Sequence, residues 1–296
     1  MKTTPKFFRT AALMAVMLLA AISCKKDSSS SSSQTADENT TISLATSSTG
    51  AESMYDDAFD VVTESSEQSG VSTNTVAGQT VNAIGATNYS YVNVACATVT
   101  LAPATVGVFP KTLTIDYGTA GCTSNNGVTR KGSLSVTLTG PMRTPGTVVT
   151  VVYNNYSVNG YVLAGTYSLT SALASGGGIN YTITVANGSI TLPAGGVYSY
   201  SGTETYTQVA GIGTSTVTDD SYNITGNFTY SGNGTSITGI IVTPLVRSAD
   251  CANITSGTID FTYKNISGLL DFGQGTCDNL ATVKVGLTTK TITLPR

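Results

Sequence analysis

The sequence predicts an all-β protein, an extended antiparallel meander of hairpins in a curled or two-layered sheet, with one short N-terminal amphipathic helix. The composition points there first. It holds no His and no Trp, 10% charged residues, 31 Gly and an abundance of Thr, Ser, Val, Ile and Tyr, which is a strand-former's alphabet. From about Asn88 onward, runs that read as strands and turns follow one another, with no helical periodicity between them to make parallel crossovers. Asn159-Gly160, Asn187-Gly188 and Asn233-Gly234 are the dipeptides that two-residue type I′ turns demand, because both central residues need positive φ.

Residues 1–23 read as a signal peptide: Lys2, Lys6 and Arg9 precede an apolar run from Ala11 to Ile22. That run is shorter than the roughly 20 residues a helix needs to cross a bilayer. Ala21-Ile22-Ser23-Cys24 resembles a lipobox, and the resemblance to bacterial lipoproteins implies cleavage before Cys24 and acylation (a palmitate-type modification) of that cysteine. Residues 24–50, with six serines from Ser28 to Ser33, are expected to form a lipidated flexible tether, since a serine tract buries no apolar surface.

The helix is expected at 51–69. At 100° per residue Met54, Tyr55, Ala58, Phe59, Val61 and Val62 fall in one arc, while Glu52, Asp56, Asp57, Asp60, Thr63 and Glu64 occupy the other. Ser47, Ser48 or Thr49 would cap its start, and the apolar arc would pack on the β domain.

A single β domain is expected over 88–296. Its strands are predicted at 90–101, 111–117, 132–139, 147–158, 161–172, 179–186, 189–192, 197–208, 222–231, 236–246, 254–263, 266–272, 281–286 and 289–294. So many exceed what a flat open sheet holds, so the sheet must curl, close or split. Around Asn187-Gly188 a hairpin would pair Val185 with Ile190 and Ile183 with Leu192; around Asn159-Gly160 another would pair Val158 with Tyr161 and Tyr156 with Leu163.

Two blocks of the domain, 96–140 and 251–294, are related. Cys96-Ala97, Asp116-Tyr117-Gly118 and Cys122 recur 155 residues later as Cys251-Ala252, Asp271-Phe272-Gly273 and Cys277. In an exported chain the four cysteines read as two local disulfides, Cys96 with Cys122 and Cys251 with Cys277. A zinc site is disfavoured because the separations of 26 residues lack C-x-x-C knuckles. Calcium held by Asp116 with Asn125 and Asn126, or by Asp271 with Asp278 and Asn279, is disfavoured because dense alternating Asp spacing is missing. No metal and no cofactor are expected.

Function is less legible. Without histidine, the usual Ser-His-Asp and Cys-His systems are excluded, and carboxylate chemistry survives. The β-region acids Asp116, Glu204, Asp219, Asp220, Asp250, Asp260, Asp271 and Asp278 carry no signal that brings two of them together. Residues 24–87 carry a net charge of −7 and residues 88–296 a net +1, so no basic patch meets phosphates and nucleic acid is not expected as a partner. Fourteen tyrosines between Tyr89 and Tyr263 either fill the core or form a stacking platform for sugars.

Ile115–Gly140, Pro145–Gly165, Ile241–Cys251 and Asp271–Asn279 are similar, in order and spacing, to a family of Bacteroidota lipoproteins. Cys24-Lys25-Lys26-Asp27 with its polar tether also resembles that group, where such a stretch accompanies display on the outer surface. The resemblance implies a cell-envelope protein on the outer membrane, surface-exposed or periplasmic, and implies no active-site residue. The expectation is a non-catalytic structural or binding module, held to the membrane by its lipid, with a glycan or protein ligand. The alternative is a carboxylate-dependent polysaccharide hydrolase.

Overall fold

The computed structural model of the chain describes residues 28–72, 93–214 and 216–296. Residues 1–27, including the expected signal peptide and Cys24, lie outside the described residues. A helix, α1 (Ser28–Gln68), precedes fourteen strands: β1 (Thr98–Ala102), β2 (Lys111–Asp116), β3 (Cys122–Thr123), β4 (Thr129–Leu138), β5 (Val148–Val158), β6 (Tyr161–Leu173), β7 (Ile179–Thr191), β8 (Val197–Ala210), β9 (Ser221–Gly232), β10 (Thr235–Ser248), β11 (Ser256–Tyr263), β12 (Ile266–Gln274), β13 (Leu280–Val285) and β14 (Thr288–Thr293). They form one antiparallel sheet in chain order, except that β2 pairs directly with β4 while β3 pairs β4 off that path. β1 and β14 are its two edges, so the sheet does not close. It curls. Every residue of α1 from Ser48 to Phe59 is buried, and the helix touches β2 and β6 as well as β10 to β13, so the sheet wraps around it.

The helix corrects two expectations. It begins at Ser28, so much of the expected tether at 24–50 is helical. Ser48 and Thr49 do not cap a start; they lie inside the helix, and their hydroxyls donate to the Ala45 carbonyl at 3.0 and 2.8 Å. Tertiary packing overrides the weak local propensity, because Ile42, Leu44 and Ala45 bury against the sheet. The acidic arc is buried as well: Glu52, Asp56, Asp57 and Glu64 all lie in the interior. The apolar arc docks as expected: Met54, Phe59 and Val62 are buried, with Phe59 against Tyr181, Tyr206 and Tyr222 at centroid distances of 5.5, 4.7 and 5.3 Å.

Two turns out of three stand. Asn159-Gly160 joins β5 to β6 with Val158 opposite Tyr161, and Asn233-Gly234 joins β9 to β10. Asn187-Gly188 is no turn. It is a bulge inside β7, which runs on through Thr191 and pairs with β6 on one side and β8 on the other. The expected pairing of Tyr156 with Leu163 is likewise replaced by an irregularity between Val152 and Ser157. These bulges serve the helix. The Tyr55 hydroxyl donates toward the carbonyls of Ala164 and Ser189, at 2.9 and 3.2 Å, where the β6–β7 register shifts.

Close approach of helix and sheet is built into one inward-facing row. Val185, Gly202, Phe228, Gly239, Phe261, Gly268 and Val285 lie opposite one another across β7 to β13. The Phe228 ring lies over Gly239, where a Cβ would come within 2.4 Å of it, and the Phe261 ring lies over Gly268 at 2.5 Å. Flat rings on bare backbone keep the sheet's inner surface low. The outer surface is hydroxylated: Thr112, Thr137, Thr150, Ser168, Thr184 and Thr203 form an uninterrupted row across β2 and β4 to β8.

Candidate functional site

The interior holds a network of six carboxyls and three guanidiniums between α1 and the sheet. Arg130 on β4 has no exposed side-chain surface, and neither has its partner Asp57. Its Nε and Nη2 donate to the two Asp57 oxygens at 2.9 and 2.5 Å, while Nη1 donates to Ser124 Oγ at 2.8 Å and Nη2 also to Asn93 Oδ1 at 2.8 Å. This is the two-pronged geometry in which a buried arginine compensates a carboxylate. The Tyr156 hydroxyl donates to Asp57 at 2.8 Å. Arg296, the last residue, turns inward and donates to Asp57 at 3.1 Å and Asp60 at 3.0 Å. Arg247 on β10 clamps Asp60 through Nε and Nη2 and faces Asp56 at 3.6 Å through Nη1.

Burial and pairing pull these carboxyls apart. Burial works to raise Asp57, but Arg130, Arg296 and Tyr156 together hold it well below the usual carboxylate range. Burial raises Asp56 despite the opposing arginines Arg247 and Arg296. Glu204 on β8 is pushed up to about 8 by burial and by the nearby Asp56. Glu52 is raised well above its ordinary value by burial and then by Glu204 and Asp56. The nearby Glu204 thus opposes the ionisation of Glu52, which favours the neutral form of that buried glutamate. Burial lifts Glu64 to about 7, opposed by its hydrogen bonds from Asn93 N and Nδ2 at 2.8 and 2.7 Å. A separate knot sits near the C-terminal end of α1, where Asp220 accepts from Arg143 at 2.5 Å, Tyr222 at 2.7 Å and Gln208 at 2.7 Å.

The space beside these acids is small. One cavity of about 10 Å³ borders Asp56 and Glu204, a second of about 10 Å³ borders Glu52 and Arg296, and a third of about 20 Å³ borders Asp60, Glu64 and Arg247. Such volumes admit a water or two and no sugar ring.

Comparison with protein-family models, with curated proteins and with solved structures finds no match for this chain.

The cysteines pair as expected. Cys96 bonds Cys122 and Cys251 bonds Cys277, with Cα atoms 6.1 and 5.7 Å apart. The duplicated aspartates are spent on their own turns: Asp116 accepts from Gly118 N and Asp271 from Gly273 N, both at 2.8 Å; Asp278, which has no counterpart in the first block, accepts from Leu280 N at 2.8 Å. Between them Tyr117 and Phe272 point into the core. Among the described residues no group of three or more His, Cys, Asp or Glu could hold a metal ion. Most tyrosines fill the interior, as with Tyr55 stacked on Tyr200 at 4.9 Å.

The sequence reading missed the partners of the acidic arc. Of the β-region acids, Glu204 alone joins the helix carboxyls in this network. Strand alternation held the signal for one arginine: Arg247 shares its parity with the inward-facing Leu245 on β10.

Proposed function

We propose that this chain is an exported lipoprotein, anchored through Cys24, whose β domain is a non-catalytic structural or binding module of the cell envelope. The observation that carries the reading is the pair of disulfides, Cys96–Cys122 and Cys251–Cys277, each closing a separation of 26 residues. Such bonds persist in oxidising compartments, which agrees with the signal-like residues 1–23. The outer surface supports attachment by lipid over insertion of the sheet. A membrane barrel needs an apolar outward band, whereas β6 to β8 present Thr166, Thr170, Thr182 and Thr203 to solvent.

The hydrolase alternative finds no support in the geometry. Glu52 and Glu204 are buried inside the curled sheet beside water-sized cavities. The ligand of a binding module, glycan or protein, would therefore meet the exterior.

Membrane fractionation of Cys24→Ala tests the anchor. The wild-type chain is expected in the detergent phase and the variant in the aqueous phase. Continued partition of the variant into detergent would contradict the reading.

A further inference from the structure

We propose that the end of the sheet from which α1 emerges is a membrane-facing rim, where Leu287, Lys284 and Lys290 rest on the anionic headgroups of the bilayer that holds the anchor. This rests on the lipidation of Cys24.

The helix and the β13–β14 hairpin meet at that end. Lys264, in the β11–β12 turn, pairs with Asp37 at 2.8 Å, and a Cβ at Gly286 would stand 3.5 Å from Glu38. From Asp37 back to Ser28, nine residues of helix span about 14 Å at ~1.5 Å each. The four steps from Ser28 to Cys24 add at most about 14 Å even if fully extended. The turns beside Asp37 therefore stand within about 28 Å of the lipid-bearing residue. The other end is out of reach: β6 and β8 hold 13 and 14 residues, so the β6–β7 turn lies roughly 40 Å farther along the sheet. A helix continuous with the protein core thus decides which end faces the bilayer.

The near end carries matching chemistry. Leu287 sits at the tip of the β13–β14 turn with 104% relative exposure, beyond any other exposed aliphatic side chain among the described residues. Lys284 and Lys290 flank it on the same hairpin and are exposed, and among the described residues no carboxylate forms an ion pair with either. An apolar tip between two long basic side chains suits the boundary of acyl chains and anionic headgroups, where lysines keep their charge in the polar layer.

The test uses the full mature, acylated chain in vesicles of equal parts phosphatidylethanolamine and phosphatidylglycerol. An environment-sensitive dye is placed at Leu287→Cys or, at the far end, at Gly176→Cys. The dye at 287 is expected to shift to the blue and to be quenched several-fold more by a lipid-borne quencher than the dye at 176. Adding Lys284→Glu and Lys290→Glu should abolish that difference. Equal quenching at both positions, in protein that floats with the vesicles, overturns the rim and leaves the anchor standing. Acylation-dependent flotation that fails altogether removes the Cys24 reading and the rim with it.

Discussion

Replacing Arg130 with methionine keeps much of the side-chain volume and removes the guanidinium. Asp57 would then keep only Arg296, at 3.1 Å, and the Tyr156 hydroxyl, at 2.8 Å, while Ser124 and Asn93 lose a donor. Breaking a buried pair by removing one partner costs about 3–5 kcal/mol, because an under-compensated charge stays behind. In a domain of this size each kcal/mol moves Tm by about 2–4 °C, so a fall of roughly 6–20 °C is expected. Thermal unfolding followed by near-UV circular dichroism, which reads the buried tyrosines, measures it. The double variant Arg130→Met with Asp57→Asn should recover part of the loss, since the stranded charge is gone. A Tm within about 2 °C of wild type for the single variant, or a double variant no more stable than the single, would refute the assignment of this pair as a compensated core charge.

Phe59→Ala empties the space between Tyr181, Tyr206 and Tyr222 and should cost about 3–5 kcal/mol in urea unfolding; no loss would mean that α1 is not part of the folded unit. Gly239→Ala puts a methyl 2.4 Å from the Phe228 ring and should lower stability by about 1–3 kcal/mol, with Phe228→Leu in the same chain relieving part of it. Glu204 binds its proton more tightly folded than unfolded, with a folded value of about 8, so its contribution is full below the ordinary carboxylate range and is lost as pH rises through about 8. Urea midpoints should therefore fall between pH 5 and pH 9, and Glu204→Gln should flatten that fall; an unchanged slope in the variant counts against the protonated Glu52–Glu204 pair.

The meander was legible because strand alternation and Asn-Gly signals are local. Asn187 shows where locality ends. Its φ of 52° equals that of Asn233, so the residue adopts the backbone its type favours in both places. One position closes a hairpin and the other bulges a continuous strand, and the difference comes from β6 and β8 flanking β7 on both sides. The burial of the acidic arc was not legible for a related reason. Asp56 and Asp57 meet Arg130, Arg247 and Arg296 only in the folded chain, across separations of 73 to 239 residues. The start of α1 was hidden because Thr41, Ser48 and Thr49 stand where apolar residues would mark the stripe, their hydroxyls donated to preceding carbonyls. The disulfides were readable from the duplicated spacing, since a local strand-turn-strand returns each chain segment to its start.

The anchored-lipoprotein account is tested most directly at the first residue of the mature chain. Mass spectrometry of the N-terminal peptide, from protein extracted out of its native membranes with detergent, should find the chain beginning at Cys24 with that cysteine acylated. A mature chain that begins elsewhere, or one that begins at an unmodified Cys24, would contradict it.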